Sequence, residues 1–229
     1  MTDDPEKVIT ELQKLQPVDV LVCNAGNAVS GRFEDLDIST FKKQIDLNYF
    51  GCVIPAKALI AGFKKRESGR ICFVSSVAGQ LGVWGFTAYS GSKFAVVGLS
   101  QALASELRPF NIGVTVCYPP DMDTPGLQEE NKTKPWECQK ISETAGLVQP
   151  ETVAASLWKD IMVGNFFSAS GLDAWLSTVM SIGWAPSTGV FQSFLEVVLG
   201  GVLRLGNLGY MKYFDYIAKK GRDRREKTE

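Results

Sequence analysis

The sequence contains no histidine among its 229 residues, so the side chain that most often transfers protons at neutral pH is missing. It also lacks an excess of either charge, because 24 lysine and arginine residues stand against 25 aspartate and glutamate residues. A net charge of -1 excludes the broad basic field of a nucleic-acid-binding protein. None of the five cysteines forms a Cys-x-x-Cys pair, which indicates reduced structural thiols and no metal centre.

What is present is an alternation of apolar strand patterns with helical patterns. With 45% hydrophobic residues, the chain is long enough to bury the core of one α/β domain. The alternation predicts a doubly wound parallel sheet. The predicted strands are 18–23, 70–75 and 112–118, the predicted helices are 6–15, 40–66 with an irregularity at Pro55, 87–108 and 150–162, and 119–149 is predicted to be a long loop.

Three residues in the middle of the chain suggest proton-transfer chemistry. Tyr89 and Lys93 are four residues apart, so a helix places both on one face, and Ser76 follows the apolar strand pattern 71–74. A lysine ammonium favours the phenolate, so we expect Lys93 to lower the pKa of Tyr89 from about 10. Tyr89 could then pass a proton to a carbonyl oxygen that Ser76 holds. The Tyr-x-x-x-Lys spacing alone also fits two solvent-exposed side chains on the surface of a helix, so the interpretation depends on the surrounding motifs.

Those motifs stand at the ends of the predicted strands. Strand 18–23 ends in Asn24-Ala25-Gly26, Asn48 follows in the next helix, and strand 112–118 leads into a proline loop with Thr124. In this order and spacing, over 18–125, the sequence resembles the short-chain dehydrogenase/reductase family. The resemblance implies a Rossmann-like fold and a nicotinamide-dependent oxidoreductase activity.

The resemblance also implies a role for each matching residue. Tyr89 is the expected general acid/base, Ser76 positions the substrate carbonyl, and Lys93 binds the nicotinamide ribose and tunes Tyr89. Asn48 is expected to organise a water that relays protons to Lys93. Pro120 stands where the family usually has glycine, and a proline restricts the path of that loop. The residues implied to contact the cofactor are Asn24, Ala25, Gly26, Tyr89, Lys93, Pro119 and Thr124.

The glycine-rich turn of the family, Thr-Gly-x-x-x-Gly-x-Gly, has no counterpart before Asn24. In the family this turn seats the cofactor pyrophosphate at a helix N-terminus. At ~30 residues per βαβ unit, the unmatched family segment is on the order of 80 residues. We therefore expect an N-terminally truncated Rossmann-like domain in residues 1–165, arising from a fragment, a truncated gene prediction or an alternative start. The residue that chooses between NADH and NADPH falls in the unmatched segment.

Residues 166–229 are predicted to form an apolar helical extension with a basic tail. No charged residue lies between Asp173 and Glu196, and this stretch is long enough to span a bilayer at about 20 residues, although Pro186 interrupts it. Its tryptophans, a second apolar run at 197–205 and the basic tail suit a membrane interface. The alternative is a pocket wall or oligomer contact with a solvated tail. The basic residues are Lys212, Lys219, Lys220, Arg222, Arg224, Arg225 and Lys227.

The run 118–135 and the tail also resemble one branch of the family, endoplasmic-reticulum reductases of long-chain 3-keto sphingoid bases. That branch implies NADPH as hydride donor, a lipid ketone substrate in sphingolipid synthesis, and a position on the cytosolic face of the membrane, with a cytoplasmic location as the alternative. Two other functions stay open: reduction of another lipid or steroid-like ketone, and a non-catalytic fragment that acts only through protein interaction. Family members commonly pair through their long helices, so a homo-oligomer is also expected.

Overall fold

The computed structural model describes residues 4–15, 17–144, 146–181, 186 and 189–227. Its helices and strands alternate along most of the chain. In order they are α1 (Pro5–Gln13), β1 (Val20–Cys23), α2 (Ile38–Gln44), α3 (Gly51–Arg66), β2 (Gly69–Val74), α4 (Thr87–Leu107), β3 (Ile112–Cys117), α5 (Pro125–Asn131), α6 (Trp136–Ser142), α7 (Pro150–Val163), β4 (Phe167–Ser168), α8 (Leu172–Ser181) and α9 (Val190–Arg225).

In the described part of the chain, four strands form one parallel sheet in the order β1-β2-β3-β4. β1 pairs with β2, and β2 pairs with β3 from Gly69 opposite Ile112 onward. The parallel α/β prediction is confirmed, and the three predicted strands lie within two residues of their predicted bounds. β4 pairs with the end of β3 over two residues and was not predicted. All strands run in one direction, so the loops after β1, β2 and β3 meet at one edge of the sheet.

The core lies between the sheet and the helices that cover both of its faces. Ile71, Cys72 and Phe73 are each 0% exposed. Neighbouring strand residues point to opposite faces, so β2 is covered on both sides, as parallel sheets usually are. Phe63 of α3 and Val96 of α4 pack in the cluster on the Ile71 and Phe73 side. The five cysteines are free and buried, which confirms the prediction of structural thiols.

The helix predicted at 40–66 is divided into three parts. After α2, residues Ile45–Phe50 form a π-helical turn, and α3 then continues to Arg66. The irregularity expected at Pro55 is therefore wrong in position, because Pro55 lies inside regular α3 and the widened turn comes before it. π-helical turns of this kind are frequent at functional sites, and this one contains Asn48.

The loop predicted at 119–149 contains two short helices, so that prediction is wrong for α5 and α6. Thr124 caps α5 by accepting a hydrogen bond from the backbone N–H of Leu127 at 3.2 Å, and Pro125 is its first residue. Capping and an N-terminal proline start a helix locally, and a seven-residue helix is too short to show apolar periodicity.

The predicted C-terminal helical extension is confirmed, but its membrane-length segment lies elsewhere than expected. The apolar stretch between Asp173 and Glu196 is divided between α8 and α9, with Pro186 between them. Ile182 and Trp184, part of that predicted stretch, lie outside the described residues. α8 packs into the protein body, since Thr178 and Val179 are no more than 5% exposed. Among the described helices, α9 alone is long and apolar enough to cross a membrane, and its most apolar window is entirely unburied.

Candidate active site

Ser76 lies where β2 ends, at the sheet edge expected for the site. Its hydroxyl caps a short 3-10 turn, accepting a hydrogen bond from the N–H of Ala78 at 3.1 Å. The turn packs closely on α4, because the Ser75 hydroxyl donates to the carbonyl of Lys93 at 3.1 Å. A Cβ on Gly79 would lie 3.0 Å from that carbonyl and would overlap the Ser75 hydroxyl. Glycine is therefore required here for the strand end to approach the helix.

Tyr89 and Lys93 lie on the same face of α4, as their spacing predicted. The Nζ atom of Lys93 is 5.7 Å from the centroid of the Tyr89 ring. It donates a hydrogen bond to the carbonyl of Val74 at 2.9 Å, which ties the helix to the last residue of β2. Ser76, two residues further along, lies near enough to the phenol of Tyr89 for its hydroxyl to lower the pKa of Tyr89. The structure thus brings together the three residues that the sequence singled out.

The pKa of Tyr89 is raised to about 12, which contradicts the lowering expected from Lys93. Burial of the phenol is the largest cause, because it disfavours the charged phenolate. The nearby Ser76 hydroxyl acts in the opposite direction and lowers the pKa, while the carboxylates of Glu130 and Asp121 raise it further. Tyr89 is therefore a neutral phenol at physiological pH and can act as a proton donor.

Lys93 is 4% exposed, and its environment changes its own titration. Burial lowers the pKa of its ammonium from 10.5 to about 8, because the charged form loses hydration. The ammonium is still the larger population at neutral pH, although it is much closer to losing its proton than a surface lysine.

Asn48 is fully buried and holds the loop that follows β1. Its side-chain amide donates to the carbonyl of Asn27 at 3.0 Å and to the hydroxyl of Ser92 at 2.9 Å. Its oxygen accepts from the N–H of Asn27 at 3.1 Å, and its backbone carbonyl accepts from the thiol of Cys52 at 3.2 Å. The observed role is to fix the loop against α4, and the expected water relay to Lys93 stays a prediction.

Gly26 lets the turn after β1 pass close to Asn48 and Lys93. A Cβ at this position would lie 2.8 Å from the Asn48 side-chain oxygen and 3.4 Å from the Lys93 Nζ atom. The glycine therefore keeps backbone close to the ammonium without a side chain. Asn24 and Ala25, the other two residues of this turn, are exposed. The cofactor contacts expected of Asn24, Ala25 and Gly26 stay predictions.

The third loop joins the site through Pro119, whose carbonyl accepts from the N–H of Val77 at 3.3 Å. This places the loop after β3 beside the turn that carries Ser76. Thr124 lies further along, and its hydroxyl serves as the cap of α5. The cofactor contacts expected of Pro119 and Thr124 stay predictions.

Several site residues were missed from the sequence. Ser92 is 0% exposed and binds Asn48, although its place inside Tyr89-Ser-Gly-Ser-Lys93 was a usable signal. Lys134 is buried and pairs with Glu130 at 2.7 Å. No local pattern could have linked Lys134 to a tyrosine 45 positions away, because only the packing of the segment 119–144 brings them together.

Comparison with known proteins agrees with this geometry. The family model described as short chain dehydrogenase matches residues 2–135. The chain is 49% identical to 3-ketodihydrosphingosine reductase of Mus musculus and 48% identical to 3-dehydrosphinganine reductase of Danio rerio, each over 225 residues. These matches cover 98% of this chain and 68% of each relative, so the chain spans about two thirds of their length.

Solved structures show the same likeness. A short-chain dehydrogenase from Streptomyces avermitilis superposes with a TM-score of 0.64 at 26% identity, over 88% of this chain and 76% of that one. ElxO with NADP bound superposes with a TM-score of 0.60 at 25% identity, over 71% of this chain and 67% of that one. Together with the ordered strand-end residues, these matches lead to one conclusion: the chain belongs to the short-chain dehydrogenase family.

Proposed function

We propose that the protein is an NADPH-dependent reductase of 3-ketodihydrosphingosine, which turns the 3-keto group into a hydroxyl in sphingolipid synthesis. The observation that carries the proposal is the meeting of Ser76, Tyr89 and Lys93 at one sheet edge. Support for the substrate comes from relatives with 48–49% identity that are named reductases of this ketone.

In this mechanism, Ser76 and Tyr89 both hydrogen-bond the ketone oxygen. The raised pKa of Tyr89 keeps the phenol protonated, so it can donate a proton as negative charge develops on that oxygen. An alkoxide is far more basic than a phenolate, so the transfer is favourable even from a phenol with a pKa of about 12. The nearby Lys93 ammonium then stabilises the phenolate that remains.

When bound, NADPH supplies the hydride for the ketone carbon. The residues proposed to hold the cofactor come from the loops after β1 and β3 and from α4. Lys93 offers its ammonium to ribose hydroxyls, and Gly26 leaves room for close backbone approach. The proposed set is Asn24, Ala25, Gly26, Tyr89, Lys93, Pro119 and Thr124.

The direct test is turnover of 3-ketodihydrosphingosine with NADPH by the chain joined to the glycine-rich cofactor segment of a relative, because no such turn precedes Asn24 in this sequence and the chain by itself is not expected to bind NADPH or to be active. We expect NADPH oxidation that depends on the lipid ketone and yields the 3-hydroxy product by mass spectrometry. Preferred turnover of a steroid-like or other lipid ketone would assign the protein to a different substrate class. Failure to reduce any ketone, by a preparation that is folded, would contradict the reductase proposal.

The pH profile should report the titration of Lys93. Lys93 is mostly protonated below its pKa of about 8 and mostly deprotonated above it. Tyr89 keeps its proton over this range, because its pKa is about 12. We therefore expect kcat/KM to be flat near neutral pH and to fall about tenfold per pH unit above about 8. A profile that stays flat to pH 10 would show that the ammonium is not needed.

We also propose that α9 attaches the protein to the cytosolic face of the endoplasmic-reticulum membrane. Support comes from its exposed apolar side chains: Val190 is 90% exposed, Val197 is 82% exposed and Phe191 is 74% exposed. A long unburied apolar face is costly in water, and the proposed substrate carries an alkyl chain that partitions into bilayers.

Replacing Val197 and Val202 with glutamate should release the protein from liposomes. Each charge placed in hydrocarbon costs about 2.5–3.5 kcal/mol on insertion scales, so we expect nearly complete loss of co-sedimentation. The matched control is Gln192→Glu with Asn207→Glu, which adds the same two charges at positions of α9 that are already polar and should retain most binding. Equal sedimentation of all three proteins would contradict a membrane role for α9.

A homo-oligomer stays a proposal, supported by apolar side chains on the long helices. Phe94 of α4 is 46% exposed and Phe50 of the π-helical turn is 42% exposed. Replacing both with serine should shift the mass measured by light scattering toward the monomer if these helices pair.

A further inference from the structure

The segment that leads into α6 lies against the candidate active site. Lys134 places its Nζ atom 5.6 Å from the ring centroid of Phe86, and the ring centroids of Phe86 and Tyr89 are 5.4 Å apart. Ion pairs to Glu130 at 2.7 Å and to Asp121 at 3.8 Å hold Lys134 there. A shift of α6 therefore changes the packing around Tyr89.

The last turns of α9 are bound to α6 through a buried carboxylate. Glu137 is 2% exposed and forms an ion pair with Arg225. Gly221, one turn earlier in α9, lies directly over it, because a Cβ there would overlap the Glu137 carboxylate. A buried carboxylate that loses its cation is strongly disfavoured, so this contact holds the two helices in one relative position.

The neighbouring Trp136 reinforces the same contact. The guanidinium of Arg224 lies 4.8 Å from the centroid of its ring, and the Nζ atom of Lys220 lies 6.0 Å from it. Both distances allow cation–π attraction. Three cations of the basic tail therefore bind two adjacent residues of α6, where the sequence suggested a solvated or lipid-facing tail.

The C-terminal helices also contact the other side of the site. Gln80, at the end of the turn that Ser76 caps, donates to the hydroxyl of Thr178 at 2.9 Å and accepts from the hydroxyl of Ser177 at 2.8 Å. Both partners belong to α8, which packs against α9. The pair of helices thus touches the Ser76 turn and the segment near Tyr89 at once.

We propose that the end of α9 is a latch that positions the segment 119–144 over the substrate, with Glu137, Gly221 and Arg225 as positioning residues. The expected loss of kcat/KM for the ketone rests on the proposed reductase function, whereas the expected change in hydrogen exchange does not. Release of the latch lets α6 and Lys134 move away from Phe86, so the ketone is held less well against Tyr89. Misplacement of this kind lowers kcat/KM for the ketone by roughly 10- to 100-fold, while the KM for NADPH stays unchanged.

The sharpest test compares two glycine-to-alanine variants within α9. Gly221→Ala forces a Cβ into the Glu137 carboxylate without changing any charge, whereas a Cβ on Gly209 meets nothing within 4 Å. We expect hydrogen exchange in 119–144 to accelerate by about tenfold or more in Gly221→Ala, while β2 stays protected. Gly209→Ala should leave exchange and activity unchanged, because alanine favours an exposed helix over glycine.

A second pair of variants tests the ion pair itself. Arg225→Gln should accelerate exchange in 119–144, whereas Arg222→Gln, which removes the same charge from a residue paired with Asp223 and Glu226, should not. The double variant Glu137→Gln with Arg225→Gln should be less affected than Arg225→Gln alone, because no unpaired buried charge remains.

Failure of the latch proposal can be told apart from failure of the proposed reductase function. Unchanged exchange in 119–144 for both Gly221→Ala and Arg225→Gln would overturn the latch, whatever the activity. Accelerated exchange in a protein that reduces no ketone would support the latch and contradict the proposed function. Accelerated exchange with unchanged kcat/KM would show that the latch does not position the substrate.

Discussion

Replacing Tyr89 with phenylalanine should lower kcat for ketone reduction about 1,000-fold, because a general acid contributes about 10² to 10⁴ in rate. The ring can still pack against Phe86, whose centroid is 5.4 Å away, so only the hydroxyl is lost. NADPH oxidation at saturating ketone measures the rate, and fluorescence titration should show that NADPH affinity falls only slightly.

The chain offers a matched control for this substitution. Tyr118 is a second tyrosine near the same sheet edge, 2% exposed and packed against Phe167, and burial raises the pKa of its phenol as well. Tyr118→Phe removes the same hydroxyl and should leave kcat within about twofold, since burial alone does not make a proton donor. Near-wild-type turnover by Tyr89→Phe would show that another group donates the proton.

Replacing Lys93 with methionine should damage cofactor binding and chemistry together. The ammonium is the proposed partner of the ribose. Its Nζ atom also lies 5.7 Å from the centroid of the Tyr89 ring. We expect the KM for NADPH to rise about tenfold and kcat to fall about 100-fold, because a buried charge interaction of this type contributes several kcal/mol to a transition state. Steady-state kinetics with each substrate varied in turn separates the two effects.

Stability distinguishes this result from simple misfolding. Lys93 is buried, so its charge costs hydration, and methionine fills a similar volume without that cost. The Val74 carbonyl loses a donor, which costs about 1–3 kcal/mol, so the two effects oppose each other and Tm should change little. Lys57→Met, at an exposed position of α3, is the control and should leave kinetics unchanged. A large fall in Tm for Lys93→Met would reassign the residue to a structural role.

The candidate site was largely predictable because its residues follow local patterns. Ser76 and the Asn24 turn each follow an apolar strand, and strands that run parallel bring such ends together. Tyr89 and Lys93 are four residues apart, which is enough to place them on one helical face. Asn48 was found as part of a motif. The π-helical turn that contains it could not be predicted, because it depends on packing and has no characteristic periodicity of apolar residues.

Other features depend on contacts between residues far apart in the chain. The pKa of Tyr89 was expected to fall, yet burial and the carboxylates of Glu130 and Asp121 raise it. The two carboxylates stand 41 and 32 positions after Tyr89, and only the fold brings them close. The C-terminal stretch was expected either to associate with a membrane or to form a pocket wall or oligomer contact, but α8 packs into the body while α9 leaves its apolar side chains exposed.

The sequence by itself determined the parallel sheet, the three residues at its edge and the apolar character of the C-terminal region. Each of these features depends on residues that are close together in the sequence, either a few positions apart on a helix or within one apolar run. Tertiary structure alone decided the protonation state of Tyr89, the division between α8 and α9, and the attachment of α6 to the basic tail through Glu137 and Arg225. Burial and charge interactions act through space, so they are set by which surfaces meet and cannot be read from the order of residues along the chain.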